Sequence, residues 1–357
     1  MRISYLFFLI LFNWPNLIYP QENRSFKIHT IAFYNLENLF DFEDDPITFD
    51  NDRTPEGKDH WTEDIYLKKV WNMATVISEI GKEITGQSPS IIGVCEIENR
   101  RVLEDLLNAG PLRETDYRLV HFDSPDRRGI DVALLYKKSV FVPSHYKAVE
   151  LLLFDDHDST KRIFTRDQLI VSGYLEGELI HIIVNHWPSR SGGEARSQSK
   201  RIKAARLNKQ LIDSLWSVDP YAKIINMGDF NDDPVNASIK RTLKTTMKKD
   251  TSQLKKMYNP MEPMYRKGLG TLAYADGWNL FDQIMLSSEL LKKDYSTYRF
   301  YTAGIYNSRK LIAREGRYKG YPFRSFTASG FTGGYSDHFP VFVYLIKETE
   351  ASATNTN

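Results

Sequence analysis

The chain has 357 residues, 41% of them hydrophobic and 26% charged, and both fractions are ordinary for a soluble globular protein. Its 47 basic and 46 acidic residues leave a formal net charge of +1, which excludes a strong overall attraction to nucleic acid or anionic membranes. The single cysteine, Cys95, excludes an intramolecular disulfide framework and a cysteine-rich zinc site.

The N-terminus carries the pattern of a secretory signal peptide. Arg2 precedes an apolar run from Tyr5 to Phe12 that is too short to span a bilayer. We therefore expect residues 1–22 to be a signal peptide and the mature protein to be secreted or periplasmic. No stable membrane insertion after signal removal, no protein partner and a monomeric state are expected. The alternatives are an interfacial membrane anchor and an ordinary first strand.

Short apolar runs predict strands throughout the rest of the chain. They are Ile28–Phe33, Ile91–Val94, Val132–Tyr136, Ile180–Val184, Ile224–Met227, Ile284–Leu286 and Val341–Ile346. Two helical stripes lie between them, one from Tyr66 to Ile80 and one from Ala204 to Leu215. This alternation predicts an α/β protein with mixed sheets covered by helices. Without a linker or repeat, residues 26–347 are predicted to form one domain and residues 348–357 a disordered tail.

Polar residues stand at the ends of these predicted strands. Four strand ends are followed by Asn35, Glu96, His186 and the pair Asp229 and Asn231, and two strands begin near Asp282 and the pair Asp337 and His338. If neighbouring strands alternate in direction, these ends share one edge of the sheets. Asp232 and Asp233, in "GDFNDDP", are expected instead to form a turn and a helix N-cap.

Several carboxylates buried near one another would require a cation to offset their repulsion. Oxygen donors dominate this set, and neither an H-E-x-x-H nor a C-x-x-C spacing occurs in the sequence. A hard cation such as Mg²⁺, Mn²⁺ or Ca²⁺ is therefore the expected cofactor. Taken singly, each of these residues also has a structural explanation, such as a helix cap or a half-buried histidine.

Seven motifs resemble the endonuclease/exonuclease/phosphatase superfamily, the deoxyribonuclease-I-like fold, and most closely its bacterial secreted nuclease branch. In chain order they are "FYNLENLFD", "GVCEIEN", "RRGIDVALLY", "VNHWPSRSGG", "GDFNDDP", "FDQIM" and "GGYSDHFPV". The resemblance implies a four-layer α/β sandwich, in which two mixed sheets pack face to face with helices outside and an active site lies at one edge.

The resemblance also implies roles for the residues at the strand ends. Glu96 is expected to be the principal metal ligand, with Asn35 and Asp337 completing the metal environment. Asp229 and Asn231 would hold the attacking water and a phosphate oxygen. His338 would pair with Asp282, and His186 would contact the scissile phosphate. For His186 no motif places a carboxylate partner; Asp131 and Glu98 are the candidates. The general base is either Asp229 or the His338–Asp282 pair.

A basic segment follows His186. Residues 190–209 contain seven basic residues and one acid, and the N-terminus of the predicted helix there also favours anions. Arg190, Arg196 and Lys200, together with Arg128, are therefore the candidate contacts to substrate phosphate.

These features predict an exported, metal-dependent phosphodiesterase. The leading hypothesis is a nuclease that cuts DNA, or alternatively RNA, by in-line water attack and leaves a 5′-phosphate as its relatives do. The rival enzyme hypothesis is a phosphatase or a phospholipid or sphingomyelin phosphodiesterase. An exposed aromatic hairpin would favour the lipid enzyme; "YRFYTAGIY", residues 298–306, has enough aromatic residues for one, although packing in the core is the favoured explanation. A catalytically inactive binding module is disfavoured because every expected polar position is occupied.

Overall fold

The computed structural model describes residues 24–349 of the chain. The predicted signal peptide, residues 1–22, lies outside the described residues, as do residues 350–357 of the predicted tail. The last strand continues through Thr349, two residues into the segment predicted as a tail. Within residues 24–349, no helix combines the length and the apolar character needed to cross a bilayer.

Strands make up most of the regular structure between residues 24 and 349. In chain order they are β1 (Ser25–Leu39), β2 (Ile91–Ile97), β3 (Tyr117–His121), β4 (Asp131–Lys137), β5 (Phe141–Val149), β6 (Leu153–Phe154), β7 (Arg162–Ile163), β8 (Gln168–Leu175), β9 (Glu178–His186), β10 (Ile224–Asp229), β11 (Met257–Tyr258), β12 (Leu272–Tyr274), β13 (Gly277–Asn279), β14 (Asp282–Ser287), β15 (Arg299–Ile305), β16 (Phe326–Thr327), β17 (Gly330–Phe331) and β18 (Val341–Thr349).

Helices connect several of these strands. The α-helices are α1 (Glu63–Glu79), α2 (Lys82–Thr85), α3 (Arg100–Leu107), α4 (Glu194–Val218) and α5 (Met261–Tyr265). Short 3-10 helices span Asn51–Arg53, Gly110–Leu112, Ser288–Leu291 and Arg309–Leu311, and a π-helical turn spans Ser238–Thr242.

Two six-stranded sheets form the centre of the molecule. The first has the order β15-β18-β1-β2-β4-β3, and the second has the order β11-β14-β10-β9-β8-β5. Both are mixed: β1 is parallel to β2 but antiparallel to β18, and β10 is parallel to β9 but antiparallel to β14. The predicted mixed sheets are thus present.

Alternating side chains of each strand face two different cores. On β1, Ile31 and Phe33 pack between the two sheets, whereas Ala32 and Tyr34 pack against α1 and α3 on the outer face. Helix α4 covers the outer face of the second sheet. The sheets approach so closely that a Cβ at Gly93 would lie 2.6 Å from the sulfur of Met227, so a larger residue there would force a neighbouring side chain to shift. The four-layer α/β sandwich is therefore confirmed.

Strand direction brings the predicted polar residues to one edge of the sandwich, which we call the rim. Strands β9 and β10 are parallel and both end there, at His186 and Asp229, which are register partners. Strand β14 is antiparallel to β10 and begins there, with Asp282 opposite Asp229. In the other sheet, β2 reaches the rim near Glu96, and the segment that precedes β18 carries Asp337 and His338.

The aromatic segment "YRFYTAGIY" is not an exposed hairpin. Most of it forms β15 at the edge of the first sheet, where Tyr298 and Phe300 are buried in the core and Tyr301 is exposed. A different segment, the β12–β13 hairpin, carries exposed aromatic side chains, Tyr274 and Trp278. Core packing, the favoured explanation for the segment 298–306, is therefore confirmed, and the exposed aromatic hairpin is a different segment.

Candidate active site

Asp229 lies at the centre of the rim. Its Oδ2 atom accepts a hydrogen bond from Nδ2 of Asn35 at 3.1 Å, and this bond joins the two sheets. The same oxygen is 3.9 Å from Nε2 of His186 and 4.0 Å from Nε2 of His338. Asp229 is almost completely buried, and this burial raises its pKa to about 6. Residues from three other segments of the chain thus converge on this one carboxylate.

Glu96 reaches the rim through an irregularity in β2. The pairing of β2 with β4 shifts register between Cys95 and Ile97, and Glu96 has a φ of +59°. Such bulges turn a side chain out of the regular alternation. The Glu96 carboxylate accepts a hydrogen bond from the backbone N–H of Asn38 and lies 3.7 Å from Nε2 of His186. Local backbone strain therefore directs this carboxylate towards the histidine.

Asn231 also has a left-handed backbone conformation, with a φ of +48°. Its backbone N–H donates to Oδ1 of Asp229, and its side-chain amide donates to the carbonyl oxygen of Trp187, which follows His186. Asn231 thereby connects the ends of β9 and β10 and fixes the carboxylate of Asp229.

His338 and Asp282 form a hydrogen-bonded pair. Nδ1 of His338 is 2.6 Å from Oδ2 of Asp282, so the other ring nitrogen, Nε2, faces Asp229. Burial alone would lower the pKa of His338, but the charge and hydrogen bond of Asp282, with the charges of Asp229 and Asp337, raise it well above 6.5. The imidazole is therefore a cation at neutral pH and can donate, rather than accept, a proton at Nε2.

His186 has the opposite electrostatic character. Burial, followed by the positive charges of Arg166 and Arg128, lowers its pKa well below 6.5, so the ring is neutral. Its Nδ1 atom has no hydrogen-bond partner within residues 24–349. The two histidines of the rim therefore hold different protonation states at the same pH.

Neither candidate carboxylate partner of His186 is bonded to it. The carboxylate of Asp131 contacts His121 at 2.9 Å and also accepts hydrogen bonds from Ser124. Glu98 accepts the backbone N–H of Asp41. Instead, the carboxylates that face His186 are those of Glu96 and Asp229, on the side of Nε2.

Asp337 lies on the side of the rim formed by the first sheet. Burial, together with the charge of Glu37, raises its pKa to about 7. Its Oδ2 atom accepts a hydrogen bond at 3.1 Å from the guanidinium of Arg324. The hydroxyl of the neighbouring Ser336 donates to the backbone oxygen of Asn35, which attaches this segment to β1.

A second group of residues lies next to the pair formed by Arg324 and Asp337. The carboxylate of Glu37 accepts hydrogen bonds from the backbone N–H and the hydroxyl of Ser325 and from Nε of Arg324. Nζ of Lys69 lies 3.8 Å from Glu37 and donates to the hydroxyl of Ser325. Lys69 is completely buried, and its desolvation lowers its pKa to about 8. These contacts hold the backbone of Arg324 in place.

The donor set of the rim fits a divalent cation. Glu96, His186 and Asp229 place ligand atoms within 4.8 Å of one another, and so do Asp229, Asp282 and His338. Oδ1 of Asp282 is buried and has no hydrogen-bond partner in the described part of the chain. The surrounding charges, with the arginines that act on His186 and their partner Asp126, have a net charge of −1 when all are ionised. They are six acids, Glu37, Glu96, Asp126, Asp229, Asp282 and Asp337, against five bases, Lys69, Arg128, Arg166, Arg324 and His338.

That Glu96, Asn35 and Asp337 bind the metal remains a prediction. Glu96 belongs to the first of these two clusters, whereas Asn35 and Asp337 border them through Asp229 and His338. The oxygen Oδ1 of Asn35 accepts the backbone N–H of Glu37. All three residues therefore lie at the rim, on the side formed by the first sheet.

Among the four predicted phosphate contacts, Arg190 is bound to other residues of the protein. Arg190 uses all three of its side-chain nitrogens within the protein: Nε donates to the carbonyl oxygen of Asn231, Nη1 to Glu194, and Nη2 to Asp232, Asp233 and Asn236. Its guanidinium therefore organises the loop after β10.

The other three basic candidates stay predictions. Arg128 is half-exposed and lies 3.7 Å from the carboxylate of Asp126, close enough to the rim for its charge to act on His186. Arg196 is exposed and Lys200 partly buried, both within the first two turns of α4.

Three residues of the site were not singled out from the sequence: Glu37, Lys69 and Arg324. Glu37 stands two residues after Asn35 within the "NLEN" motif, so its position in the motif is a signal. Arg324 ends the segment from Arg309 to Arg324, which contains six basic residues and one acid. Lys69 lies in the middle of α1 and leaves no local signal, because the contacts that distinguish it from a surface lysine are with residues distant in the sequence, Ser325, Tyr335 and Glu37.

Solved structures with the same fold include two kinds of protein. Humanized D. rerio TDP2 is 14% identical, with a TM-score of 0.53, over 89% of this chain and 98% of that chain. An endonuclease/exonuclease/phosphatase family protein from Bacteroides thetaiotaomicron is 16% identical, with a TM-score of 0.53, over 92% and 98%. D. rerio TDP2 complexed with single strand DNA product is 14% identical, with a TM-score of 0.50, over 89% and 98%.

At these identities the structural likeness shows the fold alone. No curated protein matches the chain. The sequence model of the Endonuclease/Exonuclease/phosphatase family, however, matches residues 30–347, which include every residue of the rim. Members of this superfamily are divalent-metal-dependent hydrolases that act on phosphodiester bonds. With the fold and the motifs in agreement, this chain belongs to the Endonuclease/Exonuclease/phosphatase family.

Proposed function

We propose that this protein is an exported, Mg²⁺-dependent nuclease that hydrolyses DNA, or alternatively RNA, and leaves a 5′-phosphate. The observation that carries the proposal is the convergence of Glu96, Asp229 and the His338–Asp282 pair at one rim with a net negative charge. D. rerio TDP2, which has the same fold, is complexed with single strand DNA product in one structure, and this supports a nucleic acid substrate.

The side chains of the rim suit the hydrolysis of a phosphodiester. A divalent cation bound by Glu96 with Asn35 and Asp337 would neutralise charge on the phosphate oxygens. Asp229, with a pKa of about 6, is largely ionised at neutral pH and is placed to orient and deprotonate the attacking water, with Asn231 beside it. Of the two candidate bases, Asp229 is favoured because the raised pKa of His338 keeps that ring protonated.

The two histidines would act on the phosphate in different ways. His338 presents a charged N–H at Nε2, since Asp282 occupies Nδ1, and this donor can stabilise negative charge developing on a phosphate oxygen. His186 is neutral and presents Nε2 to the space between Glu96 and Asp229. Its role would be to contact the scissile phosphate through a hydrogen bond.

A phospholipid or sphingomyelin phosphodiesterase is the second candidate. It is favoured by the exposed Tyr274 and Trp278 of the β12–β13 hairpin, because exposed aromatic side chains at a hairpin can enter a lipid surface. A phosphatase of the same family is the remaining alternative. Both differ from a nuclease in their substrate and not in the chemistry of the rim.

A substrate panel tests the proposal. Purified protein would be incubated with supercoiled plasmid, single-stranded DNA, RNA, sphingomyelin vesicles and inositol phosphates, each with Mg²⁺, Mn²⁺, Ca²⁺ or EDTA. We expect nicking of the nucleic acids with a divalent cation and none with EDTA. We expect Glu96→Gln and His338→Ala to reduce cleavage by about 10²-fold or more. Glu104→Gln, which alters an exposed pair with Arg100, is the matched control.

Intact nucleic acids together with released headgroup or phosphate would refute the nuclease proposal in favour of the second candidate. Export is tested separately by sequencing the N-terminus of protein recovered outside the cytoplasm. The expected first residue follows a cut between Ile18 and Glu22, and an N-terminus at Met1 would refute cleavage. A monomer is expected on size-exclusion chromatography with light scattering.

A further inference from the structure

A cavity of about 400 Å³ opens beside the rim. One wall is the β12–β13 hairpin with Tyr274, and the opposite wall is the segment from Arg317 to Arg324. Asp337 lines the same cavity, and Arg324 both lines it and donates to Asp337. The cavity is therefore continuous with the proposed catalytic centre, although no residue of the hairpin takes part in the chemistry described above.

The walls of the cavity present aromatic rings. The side chain of Tyr274 is 77% exposed, and so it has a free face. The ring of Tyr321 is held by a contact with Trp278, with centroids 6.1 Å apart, and by a hydrogen bond of 2.6 Å to Asp276. The ring of Tyr318 lies 6.1 Å from that of Tyr321. Planar rings fixed around an open space are suited to stacking against a planar ligand.

The same walls carry two arginines, Arg317 and Arg324, together with the carboxylates of Asp276 and Asp337. The guanidinium groups of Arg317 and Arg324 each lie 5.9 Å from the ring of Tyr318. They belong to the segment Arg309–Arg324, in which six basic residues accompany one acid. The whole chain has a net charge of only +1, so this concentration is local. Aromatic rings interleaved with arginines are typical of surfaces that bind single-stranded nucleic acid.

The Arg324 end of this wall is held before any ligand binds, because Nε of Arg324 donates to Glu37 and its Nη2 donates to Asp337. Glu37 accepts hydrogen bonds from the backbone N–H of Ser325, at 2.6 Å, and from its hydroxyl, at 2.7 Å. Lys69 donates to the same hydroxyl at 2.7 Å. A surface held in this way loses little conformational entropy when a ligand binds.

We infer that this cavity binds a nucleotide adjacent to the scissile phosphate of a single-stranded nucleic acid, with its base against Tyr274 and Tyr318 and its phosphate at Arg317 and Arg324. The inference rests on the proposed nuclease function and names its substrate class. A base inside a regular duplex is stacked between its neighbours and does not enter a concave site, whereas a base in a single strand is free to do so.

A lipid surface fits the cavity less well. The turn of the β12–β13 hairpin consists of Ala275 and Asp276, and the carboxylate of Asp276 would have to enter the membrane with the exposed Tyr274. Burying that charge in lipid is unfavourable. In addition, the cavity is concave and continuous with Asp337, which suits a single inserted ring better than a flat lipid surface.

A double-mutant cycle between protein and ligand tests the inference. Dissociation constants would be measured in EDTA by fluorescence anisotropy for an eight-nucleotide single strand and for the same strand with every base removed. For the wild type, removing the bases should weaken binding substantially. Tyr274→Ala should weaken binding of the intact strand by about 5- to 150-fold but change binding of the abasic strand much less, because stacking needs both partners.

Tyr174→Ala is the matched control, because Tyr174 is an exposed tyrosine on β8 near the turn opposite the rim. It should leave both dissociation constants unchanged. In Mg²⁺, kcat/KM for the single strand should exceed that for a blunt duplex of the same sequence in the wild type, and Tyr274→Ala should reduce this preference. The same binding measurements on Tyr318→Ala test the other wall of the cavity. They also test the inference if Tyr274→Ala does not fold.

The possible outcomes distinguish a failure of this inference from a failure of the proposed function. If the wild type cleaves nucleic acid but Tyr274→Ala and Tyr318→Ala weaken binding of the intact and abasic strands equally, the cavity does not hold a base. In that case the inference alone fails. If kcat/KM of the wild type is higher for the duplex than for the single strand, the inference alone also fails. Binding to sphingomyelin vesicles that is lost in Tyr274→Ala would overturn it in favour of a lipid. If the wild type cleaves no nucleic acid at all, the proposed function itself fails.

Discussion

The segment Gly228–Pro234 places carboxylates in two different environments within five residues. Asp229 accepts hydrogen bonds from two neutral donors, the side chain of Asn35 and the backbone N–H of Asn231. Asp232, three residues later, accepts a bond of 2.7 Å from the buried guanidinium of Arg201 and another from the hydroxyl of Ser238. One carboxylate faces the rim, and the other is paired inside the protein.

Asp233 resembles Asp232 and not Asp229. It accepts the backbone N–H of Leu280 and a bond from Arg190. The arginine cluster formed by Arg190, Arg201, Asp232 and Asp233 thus contains its own cations. At the rim, by contrast, the acidic groups outnumber the basic ones and Oδ1 of Asp282 has no partner among residues 24–349. The comparison indicates that the arginine cluster serves stability, whereas the rim keeps uncompensated charge for a ligand.

The strongest test of this comparison is Asp229→Asn. We expect the rate of diester hydrolysis to fall by about 10²- to 10⁴-fold, because the variant lacks the group that deprotonates water. In EDTA at pH 7.5, the free energy of unfolding in urea should stay the same or increase, because the variant no longer buries that charge near Asp282 and Glu96. A large loss of stability would show that the Asp229 charge is already compensated without a metal.

The matching change in the arginine cluster is Asp232→Asn. It should lower the free energy of unfolding by about 3–5 kcal/mol, since it leaves the buried Arg201 without its ion-pair partner. Asp213→Asn on α4 removes one partner of an exposed pair with Lys209 and should change stability by about 0.5 kcal/mol or less. Equal effects of Asp229→Asn and Asp232→Asn in urea unfolding would contradict the distinction between the two regions.

The smallest expected effect is the pH dependence of stabilisation by Mg²⁺. Folding raises the pKa of Asp229 to about 6 and of Asp337 to about 7, both from 3.8, chiefly through burial. Between the unfolded pKa of 3.8 and these folded pKa values, the folded apoprotein holds protons that the unfolded chain has released. The stability that these bound protons contribute is therefore lost as the pH rises through the folded pKa values of about 6 and about 7. A divalent cation competes with those protons and binds more tightly above pH 7.

Differential scanning calorimetry should therefore show a larger increase in Tm on adding Mg²⁺ at pH 7.5 than at pH 5. At a concentration 100 times the dissociation constant, the gain is about 2.7 kcal/mol. In Asp229→Asn the difference between the two pH values should shrink. An increase in Tm that is equal at both pH values would mean that the rim carboxylates are not the cation ligands.

Much of the architecture was predictable from local patterns. The seven apolar runs lie within β1, β2, β4, β9, β10, β14 and β18, and the two helical stripes lie on α1 and α4. Polar residues that follow or precede six of these runs lie at or close to strand ends, which topology then brought to one rim, although Asn35 lies within β1, before its end at Leu39. These features are predictable because burial imposes a period of two on a strand and of 3.6 on a helix.

The pairing of charged side chains was not predictable in this way. Arg190 stands in a basic segment and suggests a phosphate contact, yet its nitrogens bind the loop after β10. Lys69 looks like one more surface lysine of α1, yet it is buried against Ser325. Such partners are far apart in the sequence, and no local period relates them. Only the path of the intervening chain decides which charges meet.

The sequence by itself determined which carboxylate, amide and imidazole side chains stand near strand ends, and these are the residue types that the proposed cation binding and water activation require. Residue type is read directly, and strand position follows from local periodicity. The tertiary structure decided how those residues are ionised and which of them are free to act. Burial and the summed fields of distant neighbours keep His338 charged and His186 neutral. Likewise, Arg201 and Arg190 engage Asp232 and Asp233 but leave Asp229 open to the rim, since charge compensation depends on distances in space and not along the chain.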